Sequence, residues 1–336
     1  MSEFDLIKQY FTRPTPSAAL GVGDDAALLN ICADMELAVS TDMLVCGTHF
    51  FPDADPFFLG HKTLAVNLSD LAAMAATPRW ATLALSLPSV DENWLQQFSQ
   101  GFFTLADKYG VELIGGDTTR GPLNLSVTIM GEVPRGTALR RDAAQVDDDI
   151  WVSGMLGEAA LALAHLQGRI ELPADIFSAC ATRLHQPQPR VELGLALRGI
   201  ANSAIDVSDG LMADLGHILE RSQVGAEIFV DRVCACDAGA LAHYSHGLPL
   251  AGVTRQAELK PDLQEMMQRC ILAGGDDYEL CFTVPVAHRN AIEKISNTLA
   301  LPLTRIGKIK AGAGCVVLAE DGSQIKIEGT GYDHFE

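Results

Sequence analysis

The sequence predicts an α/β fold in two domains, and three observations carry that prediction. The chain has 336 residues, 48% of them hydrophobic, which is enough to bury a substantial core and favours two domains over one. Strand-like and helix-like patterns alternate along the second half. Between the halves, Pro134 to Asp149 is polar and turn-rich and carries Arg135, Arg140 and Arg141, so the expected domains are residues 1–140 and 141–336.

The elements follow in order. Gly21-Val22-Gly23-Asp24-Asp25-Ala26-Ala27 reads as a turn holding two adjacent carboxylates, its glycines allowing close backbone approach. Leu37 to Val39 reads as a strand that delivers Ser40-Thr41-Asp42 to its end. Asp55-Pro56 starts a helix, Asp as N-cap and Pro at the first position, and Thr77-Pro78 stops it. Its buried face is Leu64, Leu68, Leu71 and Ala75; Asn67 and Asp70, three apart, share another face, where Asp70 can point toward the acidic turns. A second helix is capped by Asp91, repeats Leu95, Phe98, Phe102, Leu105 and Tyr109 at helical spacing, and ends at Gly110. Val111 to Ile114 is a short strand ending at Gly115-Gly116-Asp117, and Leu123 to Val133 is another.

In the second half, Ile150 to Ser153 reads as a strand, Gly157 to Gln167 and Val191 to Ala201 as helices, and Ala204 to Val207 as a strand. Asp206-Val207-Ser208-Asp209-Gly210 joins that strand to a helix carrying Leu211, Leu215, Ile218 and Leu219. Gly274-Gly275-Asp276-Asp277 precedes a strand from Tyr278 to Val284. Leu303 to Ile309, Cys315 to Leu318 and Gln324 to Ile327 are closing strands, with Asp321-Gly322 a hairpin signal.

Taken singly, each acidic, glycine-rich segment reads as a simple turn. Six segments that set an acid beside small or flexible residues, Ser40-Thr41-Asp42 and Ser69-Asp70 among them, predict an oxygen-rich site for hard divalent cations such as Mg²⁺. The 24 Lys and Arg against 43 Asp and Glu give a formal net charge of −19, which argues against duplex nucleic acid or an anionic membrane as partner. Met1 to Tyr10 lacks the basic-then-apolar order of a secretory signal, and no stretch is long and apolar enough to span a bilayer, so a cytoplasmic protein is expected. The eight cysteines are scattered, Cys234-Ala235-Cys236 being the one close pair, and read as reduced thiols, mostly core filler.

Two tempting motifs fail on chemistry. Gly21 to Ala26 fits G-x-G-x-x-A, but its two carboxylates would face a pyrophosphate and no helix follows to hold the anion. Asp206 to Gly210 approaches the G-x-S-x-G elbow with Asp in place of the first Gly, which is unhelpful to a serine alkoxide and better suited to metal and phosphate contacts. No Walker loop and no protein-kinase H-R-D or D-F-G triplet occurs. His49 and Arg141 read by default as a loop histidine and a surface charge, with substrate and phosphate contacts as the sharper alternatives.

Taken together, Gly21 to Leu28, Ser40-Thr41-Asp42, Lys62 to Met74, Leu113 to Gly121, Ser203 to Leu211, Gly274 to Phe282 and the terminal Gly331-Tyr332-Asp333-His334-Phe335 resemble the thiamine-monophosphate kinase family. That family belongs with aminoimidazole ribonucleotide synthetase and selenophosphate synthetase, and the resemblance runs nearly end to end. It implies an N-terminal ATP- and metal-binding domain whose sheet pairs with a second copy to form a shared barrel, and a C-terminal α/β sandwich domain completing the active site. It implies ATP- and Mg²⁺-dependent phosphorylation of thiamine monophosphate to thiamine diphosphate by a homodimer. Carried onto this chain, Asp25, Ser40, Thr41, Asp42, Asp70, Asp117, Asp206 and Asp209 would hold Mg²⁺. Gly116, Asp117, Arg141 and Ser208, with Tyr109, would meet ATP, and His49, Asp276 and Tyr332 would meet the thiamine moiety.

One departure is visible. The family usually has Glu where this chain has Asp276, and the shorter arm would move a substrate contact by roughly one C–C bond, about 1.5 Å. The implied chemistry requires no general base, because a phosphomonoester with a second pKa of about 6 is largely deprotonated at neutral pH. Direct in-line transfer is expected, without a phosphoenzyme and with no catalytic side chain beyond those holding metal and ligands. Two alternatives compete: another ATP-using synthetase of the superfamily, and a non-catalytic cation or nucleotide sensor on the same scaffold.

Overall fold

A strand of eleven residues, β1 (Met35–Val45), pairs antiparallel with β4 (Asn124–Pro134) along its whole length, from Met35 opposite Pro134 to Val45 opposite Asn124. The computed structural model describes residues 2–233, 261–319, 321–325 and 331. They divide into two compact units, Met1–Ala138 and Leu139–Glu336. The Cys234-Ala235-Cys236 pair and Tyr332 lie outside the described residues.

In the first unit, β4 also pairs antiparallel with β2 (Thr77–Leu87), and β2 runs parallel to β3 (Glu112–Arg120), so the strand order is β1-β4-β2-β3. A short helical stretch, α1 (Glu3–Leu6), opens the chain, capped reciprocally by Ser2 and Asp5. α2 (Pro56–Ala73) packs on β1 and β4, and α3 (Glu92–Tyr109) packs on α2. The termini are those the sequence signals: Asp55 accepts from the N–H groups of Phe57 and Phe58, Asp91 from those of Asn93 and Trp94, and Gly110 closes α3 at φ 66°. Leu64, Leu68 and Leu71 of α2, Phe98 and Phe102 of α3, and Leu125, Val127 and Ile129 of β4 form the buried layer.

Two helical glycines set how closely α2 and α3 approach. A Cβ on Gly60 would lie 2.0 Å from the Phe98 carbonyl oxygen, and one on Gly101 would lie 1.9 Å from that of Phe57. Neither backbone oxygen can rotate away. Alanine is worth about 1 kcal/mol over glycine in a helix interior, whereas overpacking costs about 1–3 kcal/mol. Gly101→Ala is therefore expected to lower stability in denaturant unfolding; a stabilised variant would show that the helices part readily.

The second unit holds a seven-stranded sheet of order β11-β10-β7-β9-β5-β8-β6. Its strands are β5 (Asp149–Ser153), β6 (Ser203–Asp206), β7 (Gly225–Phe229), β8 (Leu280–Val284), β9 (Leu303–Lys310), β10 (Gly314–Leu318) and β11 (Gln324–Ile325). The helices are α4 (Glu158–Leu166), α5 (Ala174–His185), α6 (Val191–Ala196), α7 (Leu211–Ser222), α8 (Pro261–Ala273) and α9 (Arg289–Leu299). Ile150, Val152, Ile205, Leu211, Leu215, Ile218, Leu272 and Ile306 lie in its main core. A satellite core gathers Leu161, Ile176, Cys180, Leu184 and Met267 from α4, α5 and α8.

Several expectations change. Both sheets are mixed, mostly antiparallel, with one parallel pair each. α2 ends at Ala73, because Ala75 turns the chain at φ 55°, and Thr77-Pro78 opens β2 instead of stopping a helix. Ser40-Thr41-Asp42 and Gly115-Gly116-Asp117 lie inside strands rather than at their ends. α6 stops at Ala196. Of the six described cysteines, all free, three are buried and Cys32 is exposed, so thiols as core filler holds only in part.

Candidate active site

The acidic segments of the first unit form two groups. In one, the period of β1 puts Ser40 and Asp42 on the face that meets α2. The Ser40 hydroxyl donates to Asp70 Oδ2 at 2.5 Å, and the Asp42 backbone N–H donates to Asn67 Oδ1 at 3.2 Å. Asn67 and Asp70 therefore do share a helix face that meets the β1 acid. The same alternation sends Thr41 the other way, where its hydroxyl meets that of Thr128 at 2.8 Å. The Thr41 side chain thus faces away from those of Ser40 and Asp42, as its mid-strand position requires.

In the other group, the Asp24–Ala27 turn and the Gly115–Thr118 stretch of β3 line one cavity of about 690 Å³, with Phe4, Ile7 and Phe11 from the chain start. Asp25 and Asp117 both border it. Asp24 is engaged internally, its Oδ1 accepting from the Asp25 N–H at 2.9 Å. A bulge in the β2–β3 pairing precedes Gly116, whose φ is 152° and whose Cβ, if present, would lie 1.9 Å from the Leu83 carbonyl oxygen. Only glycine fits there, which lets β3 lie close against β2 just before Asp117. Tyr109 is not among the lining residues; the Lys108 ammonium sits 4.6 Å from its ring centroid.

His49 lies on the turn that follows β1. Its Nδ1 accepts the Val45 N–H at 2.9 Å, which places the ring proton on Nε2 and makes that nitrogen a donor.

In the second unit the two acidic blocks are laced together through their backbones. The Asp276 N–H donates to the Ser208 carbonyl at 2.9 Å, and the Tyr278 N–H donates to the Val207 carbonyl at 2.8 Å. Asp276 and Tyr278 both have positive φ, 67° and 51°, and the Tyr278 hydroxyl donates to Asp276 Oδ1 at 3.1 Å. A left-handed backbone is tolerated better by Asp than by most residues with a Cβ, which suits Asp276 to this position. Asp277 turns inward: its carboxylate accepts from the Gly157 N–H at the start of α4, and burial first, then Glu279 and Asp276 nearby, hold its pKa well above the ordinary range. Arg141 is exposed, and its carbonyl accepts from Ser222 Oγ at 2.8 Å.

Two contributors escape the sequence reading. Asp214, in the first turn of α7, sends one carboxylate oxygen back to the N–H groups of Ser208, Asp209 and Gly210 at 3.0, 3.1 and 3.1 Å. Burial, followed by repulsion from Asp206 and Asp209, raises its pKa to about 7. The available signal was an acid just inside a helix whose N-cap, Gly210, offers no side chain. The other is Glu279, buried against Ser153 Oγ at 2.5 Å and against both Nε, at 2.6 Å, and Nη2 of Arg190.

Among the described residues no three carboxylate, histidine or cysteine side chains converge as a ready-made metal cage. Paired donors such as Ser40 with Asp70, and Asp206 beside Asp209, are oxygen-only, and Mg²⁺ takes its sites from one or two carboxylates completed by water and phosphate oxygens. The repulsion that lifts Asp214 is the kind a cation would relieve. The residues present therefore fit Mg²⁺.

A family model, AIR synthase related protein, N-terminal domain, matches residues 23–133. The thiamine-monophosphate kinase of Escherichia coli (strain K12) is 47% identical over 338 residues, 99% of this chain and 98% of that protein. The chain belongs to the thiamine-monophosphate kinase family. Among solved structures, the crystal structure of thiamine-monophosphate kinase from Stenotrophomonas maltophilia K279a matches with TM-score 0.80 and 49% identity, over 92% of each chain. AaThiL complexed with AMPPCP and TMP matches with TM-score 0.74 and 30% identity, over 99% of this chain and 96% of that one.

Proposed function

We propose that this thiamine-monophosphate kinase family member transfers the γ-phosphoryl group of ATP to the phosphate of thiamine monophosphate, giving ADP and thiamine diphosphate. What carries the reading is the family match through both units, joined to a cavity that Asp25, Gly116 and Asp117 all line. Gly116 and Asp117 would take ATP, together with Arg141 and Ser208. Tyr109, at the end of α3, would join them. His49, as an Nε2–H donor, and Asp276, held by Tyr278, would meet the thiamine monophosphate, along with Tyr332.

Asp25, Ser40, Thr41, Asp42, Asp70, Asp117, Asp206 and Asp209 would hold Mg²⁺, the Thr41 hydroxyl facing the other side of β1 from Ser40 and Asp42. When bound, Mg²⁺ would neutralise the charge of two phosphate groups that must approach each other. The chain's own part is positional: the β1–α2 acids and the β3 backbone fix donor and acceptor for in-line attack, and the deprotonated acceptor oxygen needs no base. Recovery of a covalently phosphorylated residue on the productive path would contradict direct transfer.

The outer face of β1 leaves Leu37, Val39 and Met43 exposed, an apolar row that a second copy's sheet would cover in a homodimer, closing the two sheets into a barrel. No helix among the described residues is long and apolar enough to cross a membrane. A cytoplasmic location goes with this reading. An acceptor panel tests it: ADP release is expected with thiamine monophosphate and not with thiamine or aminoimidazole ribonucleotide precursors. Turnover on a different acceptor would move the protein to another branch of the superfamily.

A further inference from the structure

The Asp206–Gly210 turn carries three of the proposed metal and phosphate contacts, yet α7 begins there without a capping side chain at Gly210. Three successive N–H groups, of Ser208, Asp209 and Gly210, converge on a single acceptor, Asp214 Oδ2. Such a run of inward-pointing N–H groups is a concavity that ordinarily draws an anion. Here the chain fills it with its own carboxylate, which is 3% exposed. The opposite side of the turn is pinned by the Asp276 N–H on the Ser208 carbonyl, and a Cβ on Gly275 would lie 2.4 Å from that same oxygen.

We infer that Asp214 is a positioning residue: by accepting these three N–H groups it fixes the turn from which Ser208 and Asp209 present their side chains to phosphate and metal. The inference rests on the proposed roles of Ser208 and Asp209 but has its own consequence. With their N–H groups taken, neither residue has a backbone donor left to offer a phosphate. Because all three bonds end on one oxygen, the role needs an acceptor and not a charge, so an asparagine carbonyl in the same place can serve.

The test compares D214N and D214A in the full chain by amide hydrogen exchange at 208–210, by Mn²⁺ binding, and by kcat and KM. D214A is expected to lose protection at these amides and to bind Mn²⁺ more weakly on the order of tenfold, the scale for residues that orient metal ligands. D214N is expected to recover most of both, with kcat moved more than the KM for thiamine monophosphate. Unaltered exchange in D214A would overturn the inference, as would a D214N as defective as D214A, since its charge would then be what matters. Should D214A fail to fold, D214N against the unmodified protein decides: retained protection supports the role and lost protection contradicts it. Exchange is read without substrate, so an unmodified protein inactive on thiamine monophosphate would count against the proposed function and not against this role.

Discussion

Asp42→Asn is expected to lower Mg²⁺-dependent turnover on the order of 10²–10³-fold, the loss that accompanies removal of one preorganised electrostatic stabiliser. The variant should stay folded. The bond that ties this strand to α2 runs from the Asp42 backbone N–H to Asn67, and an amide side chain of the same size leaves it in place. Asp117→Asn should behave alike, since its carboxylate borders the cavity and lies outside the buried core. Steady-state ADP release across a Mg²⁺ titration, paired with a thermal melt, checks both. Unaltered rates in either variant would remove that residue from the metal set.

Arg190→Ala should cost about 3 kcal/mol or more of stability, because it strands the buried Glu279 carboxylate without its guanidinium partner. The Arg190 side chain is itself only 16% exposed. Ser153 Oγ remains as a donor to Glu279, but one hydroxyl does not compensate a full charge in that setting. The exposed Arg13–Asp107 pair provides the internal comparison: Arg13→Ala should cost under about 1 kcal/mol. Denaturant unfolding of the two variants side by side would show the difference, and equal small losses would mean that the Glu279 pocket is far wetter than its geometry indicates.

What could be read from the sequence, and what could not, follows from how local each signal is. α3 was legible end to end because Asp91, the Leu95–Tyr109 period and Gly110 are all short-range physics. Asn67 and Asp70 were legible for the same reason: helical spacing alone puts them on one face. β2 was missed, since Thr77-Pro78 looks like a helix stop, and its strand character is supplied by β3 and β4 on either side. Gly115-Gly116-Asp117 reads as a turn in isolation and becomes strand only because a bulge lets β3 continue past it. Thr41 was grouped with its neighbours Ser40 and Asp42, and the side-chain facing that separates it from them comes only with the strand: on a turn three successive residues can converge, on a strand the middle one faces away. Asp214 left only a weak signal, an acid in the first turn of a helix with Gly at its N-cap, and Arg190 left none, because its partner is fixed by the path of the chain around Glu279.

The central claim is phosphorylation of thiamine monophosphate by ATP with Mg²⁺, and the direct measurement is thiamine diphosphate formed per ADP released, with and without a chelator. One thiamine diphosphate for each ADP, abolished by the chelator and restored by added Mg²⁺, is the result expected. ADP release without thiamine diphosphate, or ATP and Mg²⁺ bound with no turnover, would contradict it.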